Sequence, residues 1–312
     1  MRVSAIAVTA SLLAATQACY DDSYLFRRSA DAPSGNSTQS VNGTSGANHF
    51  SYDGFEGPLG WHLIDPANSL CAVGKQQTPI NLNDKTTTEE GKEFEMNIPK
   101  ANGKEHFQFE NKGHTVEVNK IQNGTLKFGN GTYDLVQAHF HTPSEHRIND
   151  EFSPMELHFV HKSTGILPLS IYILYTCWQK IPEGKFAVVG FVIEIGRITT
   201  PALNSILRQA HKIKASGEKT DIPNLDFSSI IESLSKNRVY RYQGSLTTPP
   251  CTEGLEWIVS EKALTIDWMT FNSLKKILKF NSRYTQSQPG QENLLAHSMD
   301  GAKKAMESAS TR

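Results

Sequence analysis

The stretch Val136–His146, VQAHFHTPSEH, places three histidines and a glutamate within eight residues. On a β-strand, side chains alternate between faces, so Gln137, His139 and His141 share one face while Ala138 and Phe140 point into an apolar layer on the other. Two imidazoles at i and i+2 can reach one ion. Farther on, MELHFVH (155–161) aligns Glu156, His158 and Val160 on one face of a second strand. A third imidazole from a neighbouring strand completes a set of three neutral nitrogen ligands, the make-up of a catalytic zinc site that keeps its fourth position for water. Metal-bound histidines usually donate their other ring nitrogen to an amide, carboxylate or carbonyl. Gln137 and Glu156 each stand two residues before a histidine, on its face.

A His-x-His pair alone is a weak signal, more often without a metal than with one, and this one has a second spelling. His139-Phe-His141-Thr-Pro-Ser-Glu145 also fits the first motif of the cupin β-helix, which would make Glu145 a ligand of iron or manganese. The flanks argue against that reading. Phe152 stands where a glycine is expected, and a later Pro-x-Gly-x-x-His element is missing.

The elements that must position these residues are β-rich. HTVEVN (114–119), TYDLVQAHFH (132–141), MELHFVH (155–161), FAVVGFVIEI (186–195) and LEWIVS (255–260) read as strands, and Asn130-Gly131 as a turn between two of them. Helical patterning appears at 199–213 and 267–280. The second has an apolar stripe of Trp268, Phe271, Leu274, Ile277 and Leu278. Ile166–Lys180, ILPLSIYILYTCWQK, breaks this texture. It is too short, and too interrupted by Pro168, for a membrane span. Two origins fit it: a lineage-specific loop, or a retained intron translated in frame.

The chain has 312 residues, enough for one large domain or two small ones. Lys plus Arg is 31 and Asp plus Glu is 32, without a long like-charge run, which argues against a nucleic-acid partner. Residues 1–18 read as a secretory signal peptide, with a short apolar region ending at Thr16-Gln17-Ala18. Residues 19–48 form a low-complexity linker or propeptide rich in Ser, Gly, Asn and Thr. A polar C-terminal tail, 291–312, offers neither a lipid-anchor signal nor a membrane helix. Sequons at Asn36, Asn42, Asn123 and Asn130 accord with a secreted, extracellular glycoprotein.

A distant element settles the choice of fold. YRYQGSLTTPPCTEGLEWIV (240–259), together with QAHFHTPSEH, MELHFVH, GPLGWHLID, GKQQTPINL, NKGHTVEV and NSRYTQSQPG, closely resembles the alpha-class carbonic anhydrases. The matches keep the family's order from Phe50 to Gln288. The resemblance implies one domain over 49–290 of mainly β, α+β class. It would hold a central, mostly antiparallel, twisted sheet of about ten strands with short peripheral helices.

The resemblance also implies a set of roles. His139, His141 and His158 would ligate Zn2+, with Gln137 and Glu156 behind them. Thr247 would take a hydrogen bond from zinc-bound hydroxide and pass one to Glu145, which fixes its direction. Hydroxide attack on carbon dioxide would give bicarbonate, in a pocket of Thr247, Thr248, Val160, Val188, Leu246 and Trp257. His114 would shuttle the proton out near an unperturbed pKa of about 6.5, and Tyr52 would help order the water chain. Cys71 and Cys251 fall where extracellular members carry their disulfide. The remaining histidines, His146 among them, read as structural or surface. A non-catalytic binding relative is the competing class. Such relatives typically lose metal ligands, and this chain keeps all three with Thr247 and Glu145.

Overall fold

Alternating burial along the chain shows which face each strand gives to the core. The computed structural model describes residues 50–101, 107–164 and 185–310. Phe107–Asn111 and Val116–Asn119 alternate strictly between buried and half-buried residues. Met155–Ser163 and Phe186–Gly196 are buried on both faces over most of their length, as expected of strands at the centre of a sheet.

These strands belong to an 11-stranded sheet. Its main path runs Lys219–Ile222, Phe107–Asn111, Val116–Asn119, Gly131–His141, Met155–Ser163, Phe186–Gly196, Glu253–Asp267, Arg238–Ser245 and Thr88–Glu90. Thr125–Phe128 pairs with the first half of Gly131–His141 and with Glu95–Asn97. Pairing is antiparallel throughout except between Phe186–Gly196 and Glu253–Asp267. A parallel pair needs a long crossover, and residues 197–252 supply it, with helices Pro201–Leu207 and Ser228–Lys236 on the way. A second sheet of three short strands joins Asn81–Leu82, Arg147–Ile148 and Glu151–Phe152.

The helices cover one face of the large sheet. Leu203, Ile206, Ile230, Phe271 and Leu274 join Phe109, Phe140, Phe159 and Phe191 in the main core. A smaller cluster, including Ile80, Leu82, Val160, Val188 and Trp257, lies on the opposite face beside the histidines. That division of faces leaves room on the sheet for a polar site.

Several boundaries move from the sequence reading. The tight turn falls at Gly129-Asn130, one residue early, because Phe128 pairs directly with Gly131 and Gly129 takes the positive φ (+52°). Helix Trp268–Leu278 starts where Asp267 caps Met269 N and Thr270 N, both at 3.0 Å. Trp268 is therefore its first residue and remains 59% exposed, outside the core stripe that Phe271, Leu274 and Leu278 do form. The C-terminal tail is helical from Leu294 to Ser310. The proposed signal peptide and linker, Asn36, Asn42, Cys19, and 166–180 with Cys177 lie outside the described residues.

Cys71 and Cys251 form a disulfide across 180 residues, with Cα atoms 5.1 Å apart. A cross-link closing so long a loop removes much freedom from the unfolded chain. Replacing Cys71 with Ser is expected to lower the unfolding free energy by about 3–5 kcal/mol in urea titrations. A loss below about 1 kcal/mol would contradict that account.

Candidate active site

Sheet register alone assembles the three histidines. His139 sits directly opposite His158, and His141 opposite Glu156, on the antiparallel pair Gly131–His141 and Met155–Ser163. Beyond His158 the next residue across is Gly190, where an added Cβ would lie 3.4 Å from Glu156 Oε1 and 3.7 Å from His158 Cδ2. Those are ordinary van der Waals distances, so position 190 packs directly against the imidazole and its carboxylate. The ring centroids are 4.9 Å (His139–His141), 5.1 Å (His139–His158) and 4.7 Å (His141–His158) apart. One ligand atom from each lies within 4.8 Å of the others, so the group can hold a metal ion.

One nitrogen of each ring is already committed. His139 Nδ1 lies 2.8 Å from Gln137 Oε1, His141 Nδ1 lies 2.7 Å from the Asn281 carbonyl oxygen, and His158 Nε2 lies 2.8 Å from Glu156 Oε1. The nitrogens left over are His139 Nε2, His141 Nε2 and His158 Nδ1. His141 Nε2 is buried without a hydrogen-bond partner, a costly state for a polar atom. A cation at the centre of the triad would satisfy it.

The electrostatics favour neutral rings, the form a metal requires. Burial first, then His141 and His158, lowers His139 well below the usual histidine range. Burial brings His141 to about 4 against the Asn281 carbonyl, and lowers His158 against the pull of Glu156. Glu156 behaves oppositely. Burial pushes its carboxyl up, but His146 and His158 hold it well below the carboxylate range. Its Oε2 accepts from the backbone N–H groups of Glu145 and His146, each at 2.8 Å.

His146 is a site residue that the sequence reading left among the structural histidines. It is fully buried, with Nδ1 2.6 Å from Glu156 Oε1 and Nε2 2.6 Å from Tyr242 Oη. Tyr242 Oη lies 3.1 Å from Thr78 Oγ1. This chain of contacts fixes the carboxylate that holds His158. Asn281 does a similar service for His141, since its side chain also accepts from Thr142 N (2.7 Å) and donates to the Phe140 carbonyl (2.9 Å). His146 lay within the opening histidine-rich stretch. Nothing in local spacing could have paired Asn281 with a histidine 140 residues away.

Thr247 is buried in the loop between Arg238–Ser245 and Glu253–Asp267. Bonds from Leu246 N to Thr252 O (2.9 Å) and from Cys251 N to Thr248 O (2.8 Å) close that loop, and the disulfide anchors its far end. Burial pushes Glu145 up to about 7, opposed by His158, the Arg283 N–H at 2.9 Å and the Thr247 hydroxyl. A nearby dication would draw it down again. Val160, Val188 and Trp257 form one cross-strand row beside the histidine row, continued by Gln137 and Tyr242 at its ends, with Leu246 packed against it. Thr248 is half-buried on the same loop.

Tyr52 packs edge-on to Trp61 with centroids 5.7 Å apart, and burial followed by Glu145 raises its hydroxyl well above the usual range. His114 departs from expectation. It is half-buried, and burial, His141 and Lys112 lower it to about 4.

Residues 56–296 match the family described as eukaryotic-type carbonic anhydrase. A carbonic anhydrase of Neisseria gonorrhoeae is 37% identical over 213 residues, covering 68% of this chain and 73% of that protein. Another, of Pectobacterium atrosepticum, is 30% identical over 234 residues, covering 74% and 83%. The structure of a fungal alpha carbonic anhydrase from Aspergillus oryzae superposes with a TM-score of 0.71 at 36% identity, covering 81% of this chain and 99% of that one. The chain belongs to the alpha-class, eukaryotic-type carbonic anhydrase family, and its sheet carries that family's enzyme fold.

Removing His146 would leave Glu156 and Tyr242 buried without their shared partner. His146→Phe is expected to lower stability by about 3–5 kcal/mol in chemical denaturation. A loss within about 0.5 kcal/mol of zero would show that the carboxylate is held by other means.

Proposed function

We propose that this chain catalyses the reversible hydration of carbon dioxide to bicarbonate and a proton, with Zn2+ held by His139, His141 and His158. The observation that carries the reading is the convergence of three imidazoles, His139 half-buried and His141 and His158 buried, each tied at one nitrogen and leaving the other toward the centre. Three neutral nitrogens with water suffice for zinc without a carboxylate, and the Arg283 N–H holds Glu145 by its Oε1, with Oε2 3.4 Å from His141 Nε2. When bound, zinc is a Lewis acid that lowers the pKa of a water to about 7, a value for which carbonic anhydrases are themselves the reference case.

The chain's own residues do the rest. Gln137, Glu156 and the Asn281 carbonyl orient the imidazoles and fix their tautomers. Ionised Glu145 can only accept, so the Thr247 proton points to it and the Thr247 oxygen is turned to accept in turn. Val160, Val188, Leu246 and Trp257 offer an apolar wall to an uncharged, weakly polar substrate, beside Thr247 and Thr248. His114 carries the proton away, with Tyr52 ordering water along its path. Burial, His141 and Lys112 lower its proton affinity, which makes it a weaker acceptor than a free imidazole. Secretion and glycosylation complete the reading. Asn123 and Asn130 are exposed on turns flanking Thr125–Phe128, where a glycan would meet solvent.

Stopped-flow carbon dioxide hydration tests this function, with zinc measured in the same sample. The native protein is expected to hold about one zinc per chain and to lose activity on chelation. His158→Ala is expected to lose both the metal and at least about 100-fold in rate. Zinc retained with full activity in that variant would overturn the ligand assignment. Separately, His114→Ala should slow turnover in dilute buffer by about tenfold and recover with added imidazole. Equal rates in dilute buffer would remove His114 from the path.

A further inference from the structure

The motif GKQQTPINL (74–82) contains Thr78, a residue with no role in the account so far. Thr78 and Ser245 are both fully buried. They clasp each other: Thr78 N donates to Ser245 Oγ, and Ser245 N donates to Thr78 Oγ1, both at 2.9 Å. The second bond answers a defect in the large sheet. Pairing of Arg238–Ser245 with Glu253–Asp267 shifts register between Gly244 and Ser245, and such an irregularity disrupts the local ladder. Thr78 supplies an acceptor from outside that sheet. Ser245 is held at its other groups as well. Its carbonyl accepts from Trp257 Nε1 at 3.0 Å, and its hydroxyl donates to the Leu246 carbonyl at 2.8 Å. The chain therefore enters the Thr247 loop from a fixed point.

The same hydroxyl reaches the other half of the site. Thr78 Oγ1 lies 3.1 Å from Tyr242 Oη, and Tyr242 Oη lies 2.6 Å from His146 Nε2. His146 Nδ1 in turn lies 2.6 Å from Glu156 Oε1, the oxygen that holds His158. The Thr78 carbonyl takes a third element. Arg283 Nη1 donates to it at 2.8 Å, while Arg283 N donates to Glu145 Oε1 at 2.9 Å. Space at this node is tight. A Cβ added at Gly244 would stand 2.2 Å from Thr78 Oγ1, 2.8 Å from Tyr242 Cε2 and 2.9 Å from Trp257 Cδ1. Glycine at 244 lets the hydroxyl sit against Ser245 N and Tyr242 at once.

We propose that Thr78 is a positioning residue whose one hydroxyl ties the support of His158 to the loop that carries Thr247. The inference rests on the zinc reading of the triad. A buried hydroxyl bonded on two sides couples its neighbours, because a shift of either one costs the bond to the other. Removing the hydroxyl while keeping the side chain's shape takes a buried partner from Ser245 N and from Tyr242 Oη together. The metal ligand and the loop beside it then relax separately.

Thr78→Val removes the hydroxyl and keeps the shape, and Thr78→Ser restores the hydroxyl. Amide hydrogen exchange of the full-length protein reads both arms without reference to the metal. In Thr78→Val, exchange is expected to quicken about fivefold or more at Ser245 N–H, and also at Glu145 N–H and His146 N–H, the donors to Glu156 Oε2. Tyr242→Phe cuts one arm, so it should quicken Glu145 and His146 and leave Ser245 within about twofold of native. Competition with a chelator should show zinc held about three- to tenfold more weakly in Thr78→Val. Carbon dioxide hydration should lose about tenfold in kcat with KM within about twofold. Thr78→Ser should stay within about twofold of native in every readout. An equal loss in Thr78→Ser would place the effect in packing and overturn the proposal, and so would exchange that quickens at Ser245 alone. If Thr78→Val does not fold, Ser245→Ala decides instead. It loosens the clasp only, and His146 N–H should quicken in it but no further in the Tyr242→Phe background; an unchanged His146 N–H would overturn the coupling. If the native protein binds no zinc while the exchange pattern holds, the clasp stands and the functional reading falls.

Discussion

Three imidazoles packed within van der Waals reach of one another inside a protein are a liability unless each is told which nitrogen to present. That instruction comes from three acceptors: the Gln137 amide, the Asn281 carbonyl and the Glu156 carboxylate. Each fixes a tautomer, and together they leave three nitrogens facing inward. The rest of the structure serves this arrangement. Antiparallel register sets His139 against His158, and the buried pair of His146 and Tyr242 keeps Glu156 in place.

A second set of constraints reaches the same point from far along the chain. Arg283 is fully buried, donates its backbone N–H to Glu145, and donates through its guanidinium to the carbonyls of Thr78 (2.8 Å) and Cys71 (3.2 Å). Cys71 is bonded to Cys251, and Cys251 closes the loop of Thr247. The disulfide and the arginine therefore meet at the carboxylate and hydroxyl that flank the triad. Burying a guanidinium is costly, and burial does bring Arg283 down to about 10. Its contacts with two carbonyls and with the Trp61 ring offset that cost.

How much of this was legible in the sequence depends on distance along the chain. Period-two alternation placed Gln137, His139 and His141 on one face, and Glu156 with His158 on another, because a strand enforces that geometry wherever it lies. The register joining the two strands, and the partnership of Asn281 with His141 or Arg283 with Glu145, arises from tertiary packing that no local pattern encodes. The ordered motifs supplied those elements by likeness, but not what each one contacts. The proton affinity of His114 was illegible for a related reason. Its residue type suggests a group poised near neutrality, whereas burial, then His141 and Lys112, lower it. Trp268 shows the same limit on a helix, since the spacing that fits a stripe does not say where along the helix the core begins.

The central claim is that three inward nitrogens, and not a carboxylate, hold the metal. X-ray absorption spectroscopy of the zinc-loaded protein addresses it most directly. The account predicts a four-coordinate zinc with three imidazole nitrogens at about 2.0–2.1 Å and one oxygen from water. A first shell with fewer than three imidazoles and a second oxygen that is lost in Glu145→Ala would contradict it and bring Glu145 into the coordination sphere.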